Sequence, residues 1–153
     1  MAVVITPNGT RGSNTVANPL FKPMTRLNTG LYRLLRGAGM SRSMLLLTTT
    51  GARTGERHTL PLSYFPDGDD AWLIVASAGG AARHPAWVRN LATHPDQAWI
   101  EIGGRRLQVR PESLEGEARE EAWRRIVARA PQFGRYQDHT DRVIPVVRLT
   151  PAS

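Results

Sequence analysis

The chain contains no cysteine, which excludes disulfides, thiolate-bound metals and cysteine nucleophiles together. Lysine is nearly absent as well: of 20 basic residues only Lys22 is lysine, and the others are arginine. No apolar run approaches the length that crosses a bilayer, and no charged start followed by an apolar signal region opens the sequence. A cytoplasmic protein is expected on these grounds. Gly-x-Ser-x-Gly and Walker patterns are missing too, leaving hydrolase and NTPase chemistry without support. The four histidines, His58, His84, His94 and His139, are scattered with no carboxylate at ligand spacing, so no metal site is expected.

What is present is the composition of an ordinary soluble domain: 153 residues, 41% hydrophobic and 22% charged, enough for one core. The net charge of +7 favours anionic ligands, nucleic acid or an anionic membrane surface. Nucleic acid is the weakest of these, because the arginines are spread over all segments and aromatics do not interleave with them as stacking platforms do. Residues 1–18 are rich in Gly, Asn, Thr and Pro without periodicity and are expected to be loose; residues 19–153 are expected to form a single domain.

The periodicity beyond that point is informative. Leu27, Leu31, Leu34 and Leu35, interleaved with Arg26, Arg33 and Arg36, predict an amphipathic helix ending near Gly37 and Gly39, which packs on the core or, as the alternative, presents a basic surface that touches a membrane. Strands are predicted at Met44–Thr50, Thr59–Phe65 and Ala71–Ser77, with Pro61 marking an edge or a bulge and Pro66-Asp67-Gly68-Asp69 a hairpin turn. A short helix follows around Pro85–Thr93, with Trp87 and Leu91 on one face. Gln97–Ile102, Gly103-Gly104 and Arg105–Arg110 read as a β-hairpin. Leu114, Ala118, Ala122, Ile126 and Val127 mark a long helix, and Val143–Leu149 a closing strand. Five or six mainly antiparallel strands with late helices indicate an α+β barrel-like fold.

Two stretches invite a ligand. Leu45–Thr50 empties into Gly51-Ala52-Arg53-Thr54-Gly55, a glycine-bounded turn with Arg53 and Arg57 beside it, suited to a phosphate or carboxylate. Gly79-Gly80 follows the third strand where a backbone passes close to a partner, and Ser77 places a hydroxyl just before it.

Four ordered blocks carry a wider likeness. They are Leu46-Leu47-Thr48-Thr49-Thr50-Gly51 with Arg53-Thr54-Gly55 and Pro61-Leu62; Val75-Ala76-Ser77 with Gly79-Gly80; His84-Pro85, Trp87, Asn90-Leu91 and His94-Pro95; and Tyr136 with Thr140-Asp141-Arg142 and Ile144-Pro145-Val146-Val147. From about Leu20 to Pro151 the chain resembles the deazaflavin-dependent nitroreductase family, the actinobacterial quinone and nitro reductases that use coenzyme F420. That resemblance implies an FMN-binding-like split β-barrel, a mainly antiparallel six-stranded barrel with flanking helices. It implies reduced F420 as cofactor and hydride transfer to a hydrophobic acceptor such as a quinone, enone or nitro compound. Arg53 and Thr54 would hold the cofactor phosphate, with Arg57 and His58 along the same groove. Thr59, Pro61 and Leu62 would lie beside the deazaflavin ring, and Ser77, Ala78, Gly79 and Gly80 opposite. Trp87 and Asn90 would close the groove. Ser77 or Tyr136 would hydrogen-bond the acceptor oxygen, and Phe133 with Tyr136 would wall the acceptor.

The chain also departs from the family pattern. Ala52 stands before Arg53 where a second basic residue is frequent, Ala78 stands where lysine is frequent before Gly-Gly, and Ala130 stands where an aromatic is frequent. The first two changes remove positive charge near the cofactor, so that its affinity is either weaker or redistributed onto Arg57 and Arg83, and the third implies a roomier acceptor pocket. An FMN-binding relative of the barrel and a non-catalytic module for a lipid-like or anionic ligand are the alternatives.

Overall fold

A computed structural model describes residues 2–12 and 44–152. The predicted N-terminal amphipathic helix, and with it the expected membrane contact, lies outside the described residues.

Seven strands run through the described residues: β1 (Met44–Thr50), β2 (Arg57–Ser63), β3 (Phe65–Pro66), β4 (Trp72–Val75), β5 (Ala98–Ile102), β6 (Arg105–Ser113) and β7 (Val146–Pro151). They form one sheet in the order β2-β1-β5-β6-β7-β4-β3, with every recorded pair antiparallel. Three helices accompany them: α1 (Ala86–Thr93), α2 (Gly116–Arg129) and α3 (Gln132–His139). The sheet curls until β2 comes against β4 without pairing to it, as a split barrel requires. β6 makes the corner: Arg105–Gln108 pair with β5 and Val109–Ser113 with β7.

Side-chain alternation along the strands produces two cores. Leu45, Leu47, Ile74, Ile100, Val147 and Leu149 fill the barrel, where Trp87, Val88 and Leu91 of α1 join them. Leu73, Val75 and Val146 point the other way and pack under α2 and α3 against Ala122, Ile126 and Phe133. Helical spacing already placed Trp87 and Leu91 on one face, and both are buried.

The boundaries differ from the sequence expectation at several strands: β4 runs Trp72–Val75 rather than Ala71–Ser77, and β6 continues to Ser113 rather than ending at Arg110. The second strand starts at Arg57, two residues early, and the stretch to Pro66 divides into β2 and β3. Pro61 sits in β2 on the edge of the sheet, where its missing N–H costs no ladder bond. The closing strand runs Val146–Pro151 rather than from Val143, because the chain first packs as an irregular stretch in which the Pro145 carbonyl accepts from Ala76 N–H at 3.0 Å. Helix α3 was not expected.

Residues 2–12, expected to be loose, have neither helix nor strand, yet hydrogen bonds hold them to the body. Val4 N–H donates to Ser113 Oγ (2.9 Å), Gly9 N–H to the Ala82 carbonyl (2.8 Å) and Thr10 N–H to Asp141 Oδ1 (2.7 Å). Tertiary partners far along the sequence leave no trace in local periodicity.

Candidate functional site

The strand directions decide where a site can form. With neighbours antiparallel throughout, β1, β6 and β4 run the same way. The Gly51–Gly55 loop after β1 and the Ser77–Gly80 turn after β4 therefore leave the same end of the sheet. These are the two stretches singled out in the sequence, and the topology places both, as a first and a second lip, at that end of the barrel.

The first lip is a closed loop. Gly51 N–H donates to the Glu56 carbonyl (2.7 Å) and Gly55 N–H to the Gly51 carbonyl (3.0 Å). Glu56 N–H donates to Thr54 Oγ1 at 3.2 Å, and Ala52 N–H to Asn90 Oδ1 at 3.0 Å. Only the N–H groups of Arg53 and Thr54 are left without a protein acceptor among the described residues, and both residues are exposed. A Cβ on Gly51 would lie 2.7 Å from Thr54 Oγ1 and 3.2 Å from the Glu56 carbonyl oxygen and from His58 Nε2, so a larger residue there would displace these two exposed side chains from the strand end. Beneath the loop, Thr50 Oγ1 is buried with no hydrogen-bond partner.

Asn90 does not face a ligand with its whole amide. Buried on α1, it accepts from Ala52 and donates through Nδ2 to Thr49 Oγ1 at 3.0 Å. It holds the loop to the barrel. Trp87, one helical turn earlier, is only 4% exposed and belongs to the barrel core.

Strand alternation separates the β2 residues. Leu62 joins Leu60 against the barrel core, whereas Arg57, Thr59 and Pro61 project from the opposite face. Thr59 Oγ1 bonds Thr48 Oγ1 at 2.7 Å, and the Arg57 guanidinium stacks 4.1 Å from the Trp99 ring centre. Thr59, Pro61 and Leu62 thus do not share one wall.

The second lip is strained. Ala78, Gly79 and Gly80 have φ of 47°, 63° and 83°, three left-handed residues in succession, one of them carrying a Cβ. Gly80 must be glycine: a Cβ there would meet the Tyr136 carbonyl oxygen at 2.7 Å. Helix α3 therefore sits on the turn with backbone in contact, and this brings Tyr136 and Ser77–Gly80 together. The Tyr136 ring is half-buried and stands edge-on to Phe133 at 5.5 Å. Ser77 is half-buried, and its hydroxyl has no partner among the described residues. Phe133, expected beside Tyr136 as an acceptor wall, is 7% exposed and packs between Phe65 and Tyr136 in the second core. Positions i and i+3 share a helix face, and that face is turned to the sheet.

A third cluster was assigned no role from sequence. Arg142, 2% exposed, donates through Nη2 to the Ser77 carbonyl and through Nε to the Ala81 carbonyl, both at 2.7 Å. Its Nη1 lies 3.0 Å from His84 Nδ1, and His84 Nε2 lies 2.7 Å from the Thr6 carbonyl. A guanidinium only donates, so Nδ1 must accept and Nε2 must carry the proton toward Thr6. Burial, with a smaller contribution from the Arg142 charge, pushes the His84 pKa below its usual value although the Thr6 carbonyl opposes this. Burial lowers Arg142 to about 10, which leaves it charged at neutral pH. The Thr140-Asp141-Arg142 block was the available signal, but its partners lie some sixty residues upstream.

Comparison with known proteins agrees with this geometry. Residues 24–151 match the model of the F420H(2)-dependent quinone reductase family. An F420H(2)-dependent quinone reductase of Mycobacterium tuberculosis is 38% identical over 135 residues, 83% of this chain and 89% of that protein. A solved F420-H2 dependent reductase superposes with a TM-score of 0.63 and 36% identity, covering 71% of this chain and 94% of the other. A heme storage protein from Vibrio cholerae, at 16% identity and a TM-score of 0.54 over 81% of this chain and 89% of its own, shares the split-barrel fold alone. The family match extends across both lips, the Asn90 tether and the Arg142 cluster: the chain belongs to the F420H(2)-dependent quinone reductase family.

Proposed function

We propose that the open end of the barrel binds reduced F420 and that the protein reduces a quinone-like, hydrophobic acceptor there. The observation that carries this reading is the pairing of two lips at one end of the sheet, each with donors the protein itself leaves unused. On the first lip these are the Arg53 and Thr54 N–H groups and the Arg53 guanidinium, a set suited to a phosphate. The buried Thr50 hydroxyl, unpartnered among the described residues, and the close approach of Thr54 and His58 over Gly51 fit a loop shaped to receive a group rather than to end a strand. The net charge of +7 suits a polyanionic cofactor tail.

When bound, the cofactor supplies the hydride, and the protein's part is binding, orientation and exclusion of water. Arg53 and Thr54 fix the anionic end. Asn90 keeps their loop in place without touching the reacting atoms. Ser77 Oγ, without a partner among the described residues, donates a hydrogen bond toward the acceptor oxygen as negative charge develops there. Tyr136 offers its hydroxyl from α3 for the same purpose, with its ring as a wall. Arg57 and Arg83 add exposed positive charge along the opening, with the exposed His58 ring beside them. Enones and nitro compounds are secondary acceptors on this reading. No helix among the described residues is long and apolar enough to cross a membrane.

The test is equilibrium titration of the protein with reduced F420 beside FMN. F420 is expected to bind at least tenfold tighter, about 1.4 kcal/mol, and equal or tighter FMN binding overturns the assignment. Arg53→Ala is expected to weaken F420 binding by roughly 1.5 kcal/mol, the low end for a hydrogen bond to a charged group, because the side chain is exposed. Its melting temperature should match the wild type, since the side chain makes no recorded contact with the body.

A further inference from the structure

We propose that Arg142 is a positioning residue: its guanidinium clamps both ends of the Ser77–Gly80 turn and holds the strained backbone from which Ser77 is presented to the acceptor. This rests on the reading of that turn as the second lip of the F420 site. Three observations meet here. The turn contains Ala78 at φ 47°, a conformation an L-residue adopts only at a cost and keeps only where its surroundings over-determine it. Two of its own hydrogen bonds are local, Gly80 N–H to the Ser77 carbonyl at 2.8 Å and Ala81 N–H to the Ala78 carbonyl at 3.1 Å. Arg142 adds one bond at the entry carbonyl, Ser77, and one at the exit carbonyl, Ala81. A planar fork reaches two carbonyls and an imidazole at once, which a lysine ammonium on a flexible stem does not match.

The clamp is itself braced. Arg142 N–H donates to Thr140 Oγ1 at 3.3 Å, and its carbonyl accepts from Gln137 Nε2 at 2.7 Å. Gln137 Oε1 takes the Ile144 N–H at 3.1 Å, so one side chain of α3 fixes the backbone on both sides of the arginine. His84 receives the third guanidinium donor, and the Thr6 carbonyl sets its tautomer. Residues 2–12 thereby become part of the support of the site. Gly12 lies over the same turn, where a Cβ would sit 2.6 Å from the Gly80 carbonyl oxygen.

The experiment is a double-mutant cycle of Arg142→Lys with Ala78→Gly, read by amide hydrogen exchange and by reduced-F420 binding. Arg142→Lys is expected to speed exchange of the Gly80 and Ala81 amides at least tenfold while the Ala52 amide, held by Asn90, is unchanged. It is expected to weaken F420 binding about tenfold. In the Ala78→Gly background, where the turn carries less strain, the same change should cost less than threefold in either readout. Unchanged exchange at Gly80 and Ala81, or equal losses in both backgrounds, overturns the clamp. If the wild type fails to bind F420, the functional reading fails alone, because the exchange cycle still decides the clamp. Should Arg142→Lys not fold, the double variant takes over: recovery of folding by Ala78→Gly supports the clamp, and continued failure overturns it.

Discussion

The Gly51–Gly55 loop and the Ser77–Gly80 turn leave parallel strands at the same end of the barrel, and both are punctuated by glycine. Their support is different in kind. The first closes largely on itself, with one neutral amide, Asn90, tying it to the strand beneath. The second holds three left-handed residues in a row and depends on a buried charge brought from the segment before β7. A relaxed loop can be held by a single neutral amide, whereas a strained one needs partners strong enough to repay the strain, here charge-assisted hydrogen bonds. The relaxed lip leaves its arginine exposed, while the strained lip spends one on itself.

The sharpest way to break this comparison is to add the same methyl group to each side. Gly55 and Gly80 both have positive φ, 71° and 83°, so alanine pays a conformational penalty of about 1 kcal/mol at either. Around Gly55 there is open space, but at Gly80 the new Cβ would meet the Tyr136 carbonyl oxygen at 2.7 Å and His139 Cβ at 3.0 Å. Gly80→Ala is therefore expected to cost about 3 kcal/mol, since backbone must shift, against about 1 for Gly55→Ala. Urea unfolding of the two variants checks this, and equal losses would dissolve the distinction between the lips.

Asn90→Ala tests the tether of the first lip. It strands the Ala52 N–H and the Thr49 hydroxyl, and an unsatisfied buried group costs roughly 1–3 kcal/mol. A loss of about 2 kcal/mol is expected, with faster exchange at the Ala52 amide and none at Gly80. Asn90→Asp keeps the acceptor for Ala52 and should recover part of that loss.

What the sequence made legible follows the range of the interactions. β1, the β5–β6 hairpin across Gly103-Gly104 and the buried face of α1 are local patterns, and all appear where periodicity placed them. Both lips were visible because glycine at a strand end is a local signal. Helix α3 was not, since Pro131 and Gly134 argue against a helix and only Phe133 and Tyr136 carry a face. Asn90 was located on its helix, but its partners lie 38 and 41 residues earlier. Arg142 was the furthest from view: its partners stand 58, 61 and 65 residues upstream, and an arginine in an arginine-rich chain announces nothing. For the same reason Phe133 looked like a pocket wall, when it fills a core that α2, α3 and β4 create together.

The lips should also part company in acid. Beneath the second stands His84, whose pKa in the folded protein lies below its ordinary 6.5 because burial disfavours the charged ring. As pH falls below 6.5 the unfolded chain takes up this proton first, so stability declines with falling pH, and it stops declining below the folded-state pKa. Above 6.5 neither state binds the proton and the contribution is fully present. Asp141, which holds Thr10 and Arg11, has its pKa brought down to about 2 by those hydrogen bonds. It stays ionised throughout the His84 window, and its own contribution goes only as pH falls from 3.8 toward 2. Exchange at Gly80 and Ala81 is therefore expected to quicken between pH 7 and pH 5 relative to Ala52. A His84→Gln variant should lose that dependence, and a slope that persists in it would place the titrating group elsewhere.

The smallest expected effect on the fold is the most telling for function. Tyr136 meets both regions of interest: its backbone lies on Gly80, and its ring stands against Phe133 in the second core. Tyr136→Phe keeps the ring and removes a hydroxyl that has no protein partner among the described residues, so stability should change by less than about 0.5 kcal/mol. If the hydroxyl hydrogen-bonds the acceptor oxygen only as charge develops, turnover falls with little change in the acceptor KM. Tyr136→Ala would remove the ring and disturb the Phe133 packing, raising KM and lowering stability together. Wild-type turnover in Tyr136→Phe combined with lost acceptor binding in Tyr136→Ala would make the ring a wall only. Ser77, held out on the clamped turn, would then be the donor, and Ser77→Ala should lower turnover in its place. Should Tyr136→Phe, Tyr136→Ala and Ser77→Ala all reduce a quinone at the wild-type rate, the acceptor does not sit at the second lip.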